Sequence, residues 1–343
     1  MELALARYRL RFIHPFGTAH GLREGTDSVF VRLSRNGFVG YGEATLPPYL
    51  PHTQDAVHGE LGSIDIKSIT GLLNRTNEGL SPPARCALDM AYNDLLSKEM
   101  GISYSTFIGI SRVQGYSAQS MVTLGHTAIG DIALKLEHLP NSPVLKVKLG
   151  SPHDQITLTA VKELDNRMLF LDANQGWNHL DQAMNAISIV GEQRIVGIEQ
   201  PFHKDRWDLH RALREAVKVP IYADESVQDL EDLKRASGAF DGVNVKLMKC
   251  GGLDVAKRMV EFARQEGLKI MLGSMSESSL GCAAMAALMP FADLVDLDGP
   301  WLISNDPFHG LRMEDGQLAV DGPVGMGVEL RLPSLLEFRP LGA

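Results

Sequence analysis

The sequence predicts an α/β protein built on a closed barrel of parallel strands, and three observations carry that expectation. Three short apolar runs each end in an acidic residue: Leu169-Phe170-Leu171-Asp172, Val196-Gly197-Ile198-Glu199 and Ile221-Tyr222-Ala223-Asp224. Each has the length and composition of a buried strand, and loop-forming residues follow each. The acidic residues are 27 and 25 positions apart, the span of one strand–helix unit of an α/β barrel. Finally, eight strand candidates can be counted, at 116–124, 144–149, 168–173, 196–200, 221–224, 242–247, 269–273 and 294–297. Amphipathic segments such as 180–190 and 254–265 fill most of the gaps, the alternation that a parallel barrel requires.

The elements before the barrel have a different texture. Residues 1–50 read as antiparallel β. Two strand-like runs starting at Ser28 and Gly37 flank Ser34-Arg35-Asn36, a hairpin turn candidate. The stretch from His14 to Gly25 is long and rich in glycine, so a mobile loop is expected there. Ser81 as N-cap and Pro82 at the first helical position open a helix that stops at Gly101. The tail, 304–343, carries short β runs with many Gly and Pro and is expected to return to the N-terminal region.

Composition excludes several classes. At 343 residues the chain is long enough for two domains. A net charge of −9 without a Lys/Arg-rich run argues against nucleic acid as a partner. Cys86, Cys250 and Cys282 are far apart and odd in number, so they read as reduced packing thiols. No run reaches membrane-spanning length and no signal peptide opens the chain, so a cytoplasmic protein is expected, with its oligomeric state open and a homo-oligomer allowed.

The chemistry lies at the strand ends. Carboxylates at the carboxyl ends of three successive strands, Asp172, Glu199 and Asp224, converge on one spot. Three hard oxygen ligands call for a hard divalent cation, Mg²⁺ first. Lys146 and Lys148 lie two apart on the preceding strand and therefore share a face. Alone, a Lys-x-Lys pair is usually a solvated edge; on a barrel covered by helices, the inward face is its better home. Lys246 falls on the strand after the carboxylates. Strands two and six of eight face each other, so a substrate on the cation has a lysine on each side. That suits proton removal from one face of a carbon acid and return to the other. A carbon next to a carboxylate is a weak acid because its conjugate base is a dianionic enediolate. A divalent cation stabilises that charge, and the cation and Lys146 together disfavour a second charge on Lys148. On the eighth strand Asp296 and Asp298 share a face. Alone, such a pair is usually solvated; at this mouth it reads as a dock for a substrate ammonium.

Lys146-Val147-Lys148, Asp172-Ala173-Asn174-Gln175-Gly176-Trp177, Glu199-Gln200-Pro201, Asp224-Glu225-Ser226 and Lys246-Leu247-Met248-Lys249-Cys250-Gly251-Gly252 together resemble the enolase superfamily, muconate lactonizing subgroup. Asp296-Leu297-Asp298 with two lysines is similar to the dipeptide epimerases of that subgroup. The resemblance implies a modified TIM barrel, (β/α)7β, with an α+β capping domain built from the N-terminal region and the C-terminal tail. The implied division is 1–113 capping, 114–303 barrel and 304–343 returning segment. It implies one Mg²⁺ on Asp172, Glu199 and Asp224, with Asn174 and Glu225 supporting the ligands. Lys148 and Lys246 become the acid/base pair and Lys146 the electrostatic helper. Ser274, Met275, Ser276 and Ser120 become dipeptide contacts. Family members acting on Ala-Glu carry a loop arginine for the distal carboxylate; the equivalent position here is Gly21, and Arg23 stands two residues later. The implied reaction is inversion of the α-carbon next to the C-terminal carboxylate of a dipeptide by two-lysine 1,1-proton transfer.

Rival readings share the scaffold. A cycloisomerase or an o-succinylbenzoate synthase would use the same lysines and metal but has no substrate ammonium to explain Asp296 and Asp298. A catalytically dead barrel serving as a binding protein predicts a lost lysine or ligand, and none is lost. His14, His203 and His210 show no metal spacing and read as surface or structural.

Overall fold

The computed structural model describes residues 1–19, 21–73, 79–110 and 118–341. The chain opens with an antiparallel meander of β1 (Glu2–Thr18), β2 (Gly21–Arg35) and β3 (Phe38–Leu46). Asn36 and Gly37 both take positive φ, 54° and 82°, so the turn sits one step later than Ser34–Asn36, where a two-residue hairpin turn wants an Asn-Gly pair. Helices α1 (Gln54–Gly62), α2 (Ile69–Leu73), α3 (Pro82–Glu99) and α4 (Tyr104–Phe107) follow. Leu3, Leu5, Val29, Val31 and Leu33 bury against Ala87, Leu88, Ala91 and Leu95 of α3. The approach is close because β3 offers no side chain there. A Cβ on Gly42 would lie 1.8 Å from Ala87 O, and one on Gly40 2.1 Å from Ala91 O.

The stretch from His14 to Gly25 is not the loose loop its composition suggests. β1 and β2 stay paired to Thr18↔Gly21, with one register break between Arg11 and Phe16. The break spans Pro15, which lacks the N–H a ladder needs. Two of its glycines serve close approach: a Cβ on Gly25 would meet Leu10 O at 2.4 Å, and one on Gly17 would meet His126 Cβ at 2.5 Å, whereas Gly21 takes φ 115° with open space around it.

Among the described residues the second half supplies eight parallel strands. Strand β4 (Ala118–Gln119) precedes them, followed by β5 (Val122–Leu124), α5 (Ile132–His138), β6 (Val144–Lys148), α6 (Asp154–Leu164), β7 (Met168–Asp172), α7 (Leu180–Val190) and β8 (Ile195–Glu199). Next come α8 (Trp207–Ala216), β9 (Ile221–Ala223), α9 (Leu230–Leu233), β10 (Gly242–Val245), α10 (Leu247–Cys250), α11 (Leu253–Gln265), β11 (Lys269–Gly273), α12 (Ser279–Ala286), β12 (Leu294–Asp296) and α13 (Gly299–Leu302). The strands lie side by side in chain order from β5 to β12. A parallel bridge between Ser120 and Val295 joins the two ends of the sheet. The first strand candidate, 116–124, divides. Tyr116 and Ser117 lie outside the described residues, as does the 113/114 boundary; β4 joins a small sheet with two strands of the tail, at 311–314 and 317–320, and only β5 enters the barrel.

Inside the barrel floor, Met121, Phe170, Tyr222 and Met271 form one buried layer, contributed by alternate strands as this architecture favours. Intervening strands make room with glycine: a Cβ on Gly242 would lie 2.4 Å from the Tyr222 ring. This apolar plug closes one end and leaves the polar residues to the other.

The tail adds β13 (Phe308–His309), β14 (Leu311–Glu314), β15 (Gln317–Val320), β16 (Glu329–Leu330) and β17 (Arg339–Pro340). β17 pairs with β1, and Met326 N donates to Asp94 Oδ1 of α3 at 2.9 Å, so the tail does return to the N-terminal elements. All three cysteines are free and buried. No described helix is long and apolar enough to cross a membrane. The β3–α3 contact makes one prediction: Gly42→Ala should force helix and sheet apart and cost about 1–3 kcal/mol, read as a lowered denaturation midpoint.

Candidate active site

Strand register assembles the site. Lys148 pairs with Asp172 across β6 and β7, and Asp172 pairs with Glu199 across β7 and β8. Asp224 follows the last residue of β9. The two-residue period keeps Lys146 on the same face as Lys148. All three carboxylates are buried.

Lys146 Nζ is the hub. It lies 3.0 Å from Asp172 Oδ2, 2.7 Å from Glu199 Oε2 and 2.6 Å from Asp296 Oδ2. Lys148 Nζ reaches Asp172 Oδ2 at 2.6 Å, and Lys246 Nζ reaches Asp224 Oδ2 at 2.7 Å. Burial pulls the Lys146 ammonium down, but Asp296, Glu199 and Asp172 outweigh it and hold it well above the ordinary lysine value. Burial followed by the Asp172 charge pushes Glu199 up to about 8. For Asp172 burial is outweighed by Lys148 and Lys146, which hold its carboxyl below the usual range.

The donor set fits a hard cation: oxygen-only, on adjacent strand ends, and close enough that Asp172 and Asp224 both act on Glu199. Glu199 Oε2 also accepts no well-aligned hydrogen bond, although Lys146 lies beside it. Among the described residues no three or more His, Cys, Asp or Glu side chains are already gathered as a metal cage. The carboxylates are drawn instead onto ammonium groups, which a bound cation would have to replace.

A layer behind the carboxylates holds them. The backbone N–H of Asn174, at φ 43°, donates to Asp172 Oδ1 at 3.0 Å. Asn244 Nδ2 donates to Glu199 Oε1 at 2.6 Å. Gln200 Oε1 accepts from the backbone N–H groups of Asp224 and Ser226 at 2.9 and 3.0 Å. His210 lies buried beneath Gln200 and is pushed down to about 4 by burial, which matches its structural reading; His203 is exposed. Sequence reasoning missed Asn244, whose signal was its place two residues before Lys246 on the inward face.

The remaining expected residues are distributed around the mouth. Asp298 Oδ2 accepts from Thr123 N at 2.6 Å, and burial followed by Asp296 pushes its carboxyl up to about 7. Ser274 N donates to Asp296 O at 3.1 Å, and Ser276 is buried in the same loop after β11. Ser120 is engaged elsewhere: its hydroxyl accepts from Leu297 N at 3.0 Å and donates to Met121 O at 3.1 Å, sealing the barrel seam. Arg23 is half-buried, stacks over Phe12 at 5.5 Å and donates to Thr26 Oγ1 at 3.2 Å. Burial lowers its pKa, against the opposing effect of Tyr49. Tyr49 was not foreseen. It lies in the proline-rich loop after β3, donates to Met275 Sδ at 2.8 Å, and feels the charges of Lys246, Asp224, Arg23 and Glu225. Glu43 stands near the end of β3. Its buried carboxylate accepts from Ser278 N at 3.0 Å and Gly281 N at 3.1 Å, at the start of α12, so the cap grips the loop that carries Ser274 to Ser276.

Residues 141–334 match the enolase C-terminal domain-like family. A Bacteroides thetaiotaomicron protein named L-Ala-D/L-Glu epimerase is 32% identical over 96% of this chain and 88% of its own. A Roseobacter litoralis protein named hydrophobic dipeptide epimerase is 34% identical over 92% of this chain and 95% of its own. A dipeptide epimerase from Methylococcus capsulatus, solved with Mg and the dipeptide L-Arg-D-Lys, is similar with a TM-score of 0.83 at 29% identity, over 96% of this chain and 99% of that one. With strand-end carboxylates, facing lysines and these relatives together, the chain belongs to the enolase C-terminal domain-like family and is an isomerase of the racemase and epimerase kind.

Proposed function

We propose that this chain is a dipeptide epimerase that inverts the carbon next to the C-terminal carboxylate. One observation carries the reading: Lys148 and Lys246 stand on β6 and just after β10, opposite one another in the barrel, and pair with different carboxylates of one cluster. A carbon held between them has a lysine at each face. From one epimer Lys148 removes the α-proton as the free amine, while Lys246, as ammonium, delivers a proton to the opposite face. The other epimer reverses the roles. Lys146, held charged by three carboxylates, stays a fixed positive group beside the charge that develops. Asp172, Glu199 and Asp224 would hold Mg²⁺, which when bound supplies Lewis-acid stabilisation of the substrate carboxylate.

Asp296 and Asp298 are the reason to favour a dipeptide over cycloisomerase or o-succinylbenzoate synthase substrates, because they offer buried negative charge to an α-ammonium. The relatives named for dipeptides support the same class. They also differ in side-chain preference, so the second residue is argued from Arg23. Its guanidinium has no ion pair among the described residues and lies on the Tyr49 side of the hairpin. An acidic second residue would give it a partner.

Three outcomes are expected. Lys148→Ala and Lys246→Ala should each abolish epimerisation, and each should still exchange the α-proton of one epimer in D₂O, followed by NMR; near-normal epimerisation by either variant removes the two-base assignment. N-acetylation of the dipeptide should cost about 2–5 kcal/mol in kcat/KM, the penalty for an unpaired buried charge, whereas equal turnover of both forms would return the cycloisomerase reading. For Arg23→Ala, the ratio of kcat/KM for L-Ala-L-Glu over L-Ala-L-Leu should fall about tenfold or more, since hydrogen bonds to charged groups contribute about 1.5–3 kcal/mol; an unchanged ratio takes Arg23 out of the site.

A further inference from the structure

Lys249 takes no part in the proton transfer described above, yet it is one of the most completely engaged side chains in the protein. Its Nζ lies 2.6 Å from Asp224 Oδ1, 2.7 Å from Asp224 O, 2.9 Å from Val227 O and 3.0 Å from Asn244 O. An ammonium has three protons, so four acceptors use all of them. Lys246 and Lys249 are three residues apart at one short helical turn, α10, which ends at Gly251 in the left-handed conformation. Such spacing places two side chains on one side. They take the two oxygens of one carboxylate: Lys249 holds Oδ1, and Lys246 meets Oδ2 at 2.7 Å.

We propose that Lys249 is a positioning residue for the cation site: it clamps Asp224 through Oδ1 and so presents Oδ2 to the cation. Its remaining bonds tie the loop after β9 to Asn244 of β10, the residue whose side chain holds Glu199. One buried charge thereby sets the relative placement of two of the three carboxylates. The inference rests on the reading of Asp172, Glu199 and Asp224 as cation ligands.

The test is Mn²⁺ binding by the full chain, measured by titration calorimetry, with the denaturation midpoint of the metal-free protein recorded beside it. Lys249→Met should weaken Mn²⁺ binding about 10–100-fold, the range for lost outer-shell partners. In an Asp224→Asn background the same substitution should weaken it no further. A similar loss in both backgrounds shows a general structural effect and overturns the proposal, as does wild-type affinity in Lys249→Met. If Lys249→Met does not fold, Lys249→Arg decides. Its planar fork keeps the charge but cannot set one nitrogen among four oxygens, so about tenfold weaker binding is expected and unchanged binding refutes the role. Wild-type protein that binds no Mn²⁺, or binds it equally after Glu199→Gln, overturns the cation site itself and this inference with it.

Discussion

Four lysine ammonium groups and five carboxylates share one end of the barrel, nearly all of them out of water. Taking each ion from water costs several kcal/mol unless partners repay it, so every charge here depends on its neighbours. Lys146 bonds three carboxylates from three strands, and Asp224 receives two lysines. The excess of carboxyl groups over ammonium groups tells on Glu199 and Asp298, which burial and their acidic neighbours push upward, toward the neutral acid. A site of this kind attracts cations, whether a divalent ion or a substrate ammonium. It also explains the apolar layer below. Met121, Phe170, Tyr222 and Met271 keep the floor dry, so the charges act at short range with little solvent between them.

The N-terminal sheet is part of the same arrangement. Glu43, on β3, reaches the first turn of α12 and holds the loop after β11. Tyr49 closes on Met275 from above. The hairpin of β1 and β2 meets the loop after β5 through the antiparallel bridge of Gly17 and His126. Three points on the cap thus touch the loops beyond the barrel strands, where the reactive groups are. Cap and barrel also share apolar packing, with Phe30, Cys86 and Met90 in one buried cluster with Leu253 and Cys282 and with Phe12 and Phe16 against Ile303; the polar bonds add dependence on direction and distance.

The sequence alone determined the barrel and its chemical end. Alternating apolar runs and helical segments, with acidic residues at even spacing, leave few other solutions, and residue identity at a strand end sets where a side chain emerges. That is why Lys146, Lys148, Asp172, Glu199, Asp224, Lys246, Asp296 and Asp298 could all be named in advance and all lie at one mouth. Local pattern also placed α3 and α7, since caps and amphipathic periods are short-range signals.

Tertiary structure decided what depends on neighbours distant in sequence. Glycines between His14 and Gly25 could have meant motion; only the positions of Leu10 O and His126 show that Gly25 and Gly17 permit contact. Ser120 could have faced a substrate, but its hydroxyl lies in the seam between the first and last strands, a junction no local pattern describes. Glu43, Tyr49 and Lys249 acquire their roles from partners on other elements, the first two more than 200 residues away. Periodicity tells which face a residue occupies. Which charge or backbone group meets it there is settled only when the barrel closes and the cap docks.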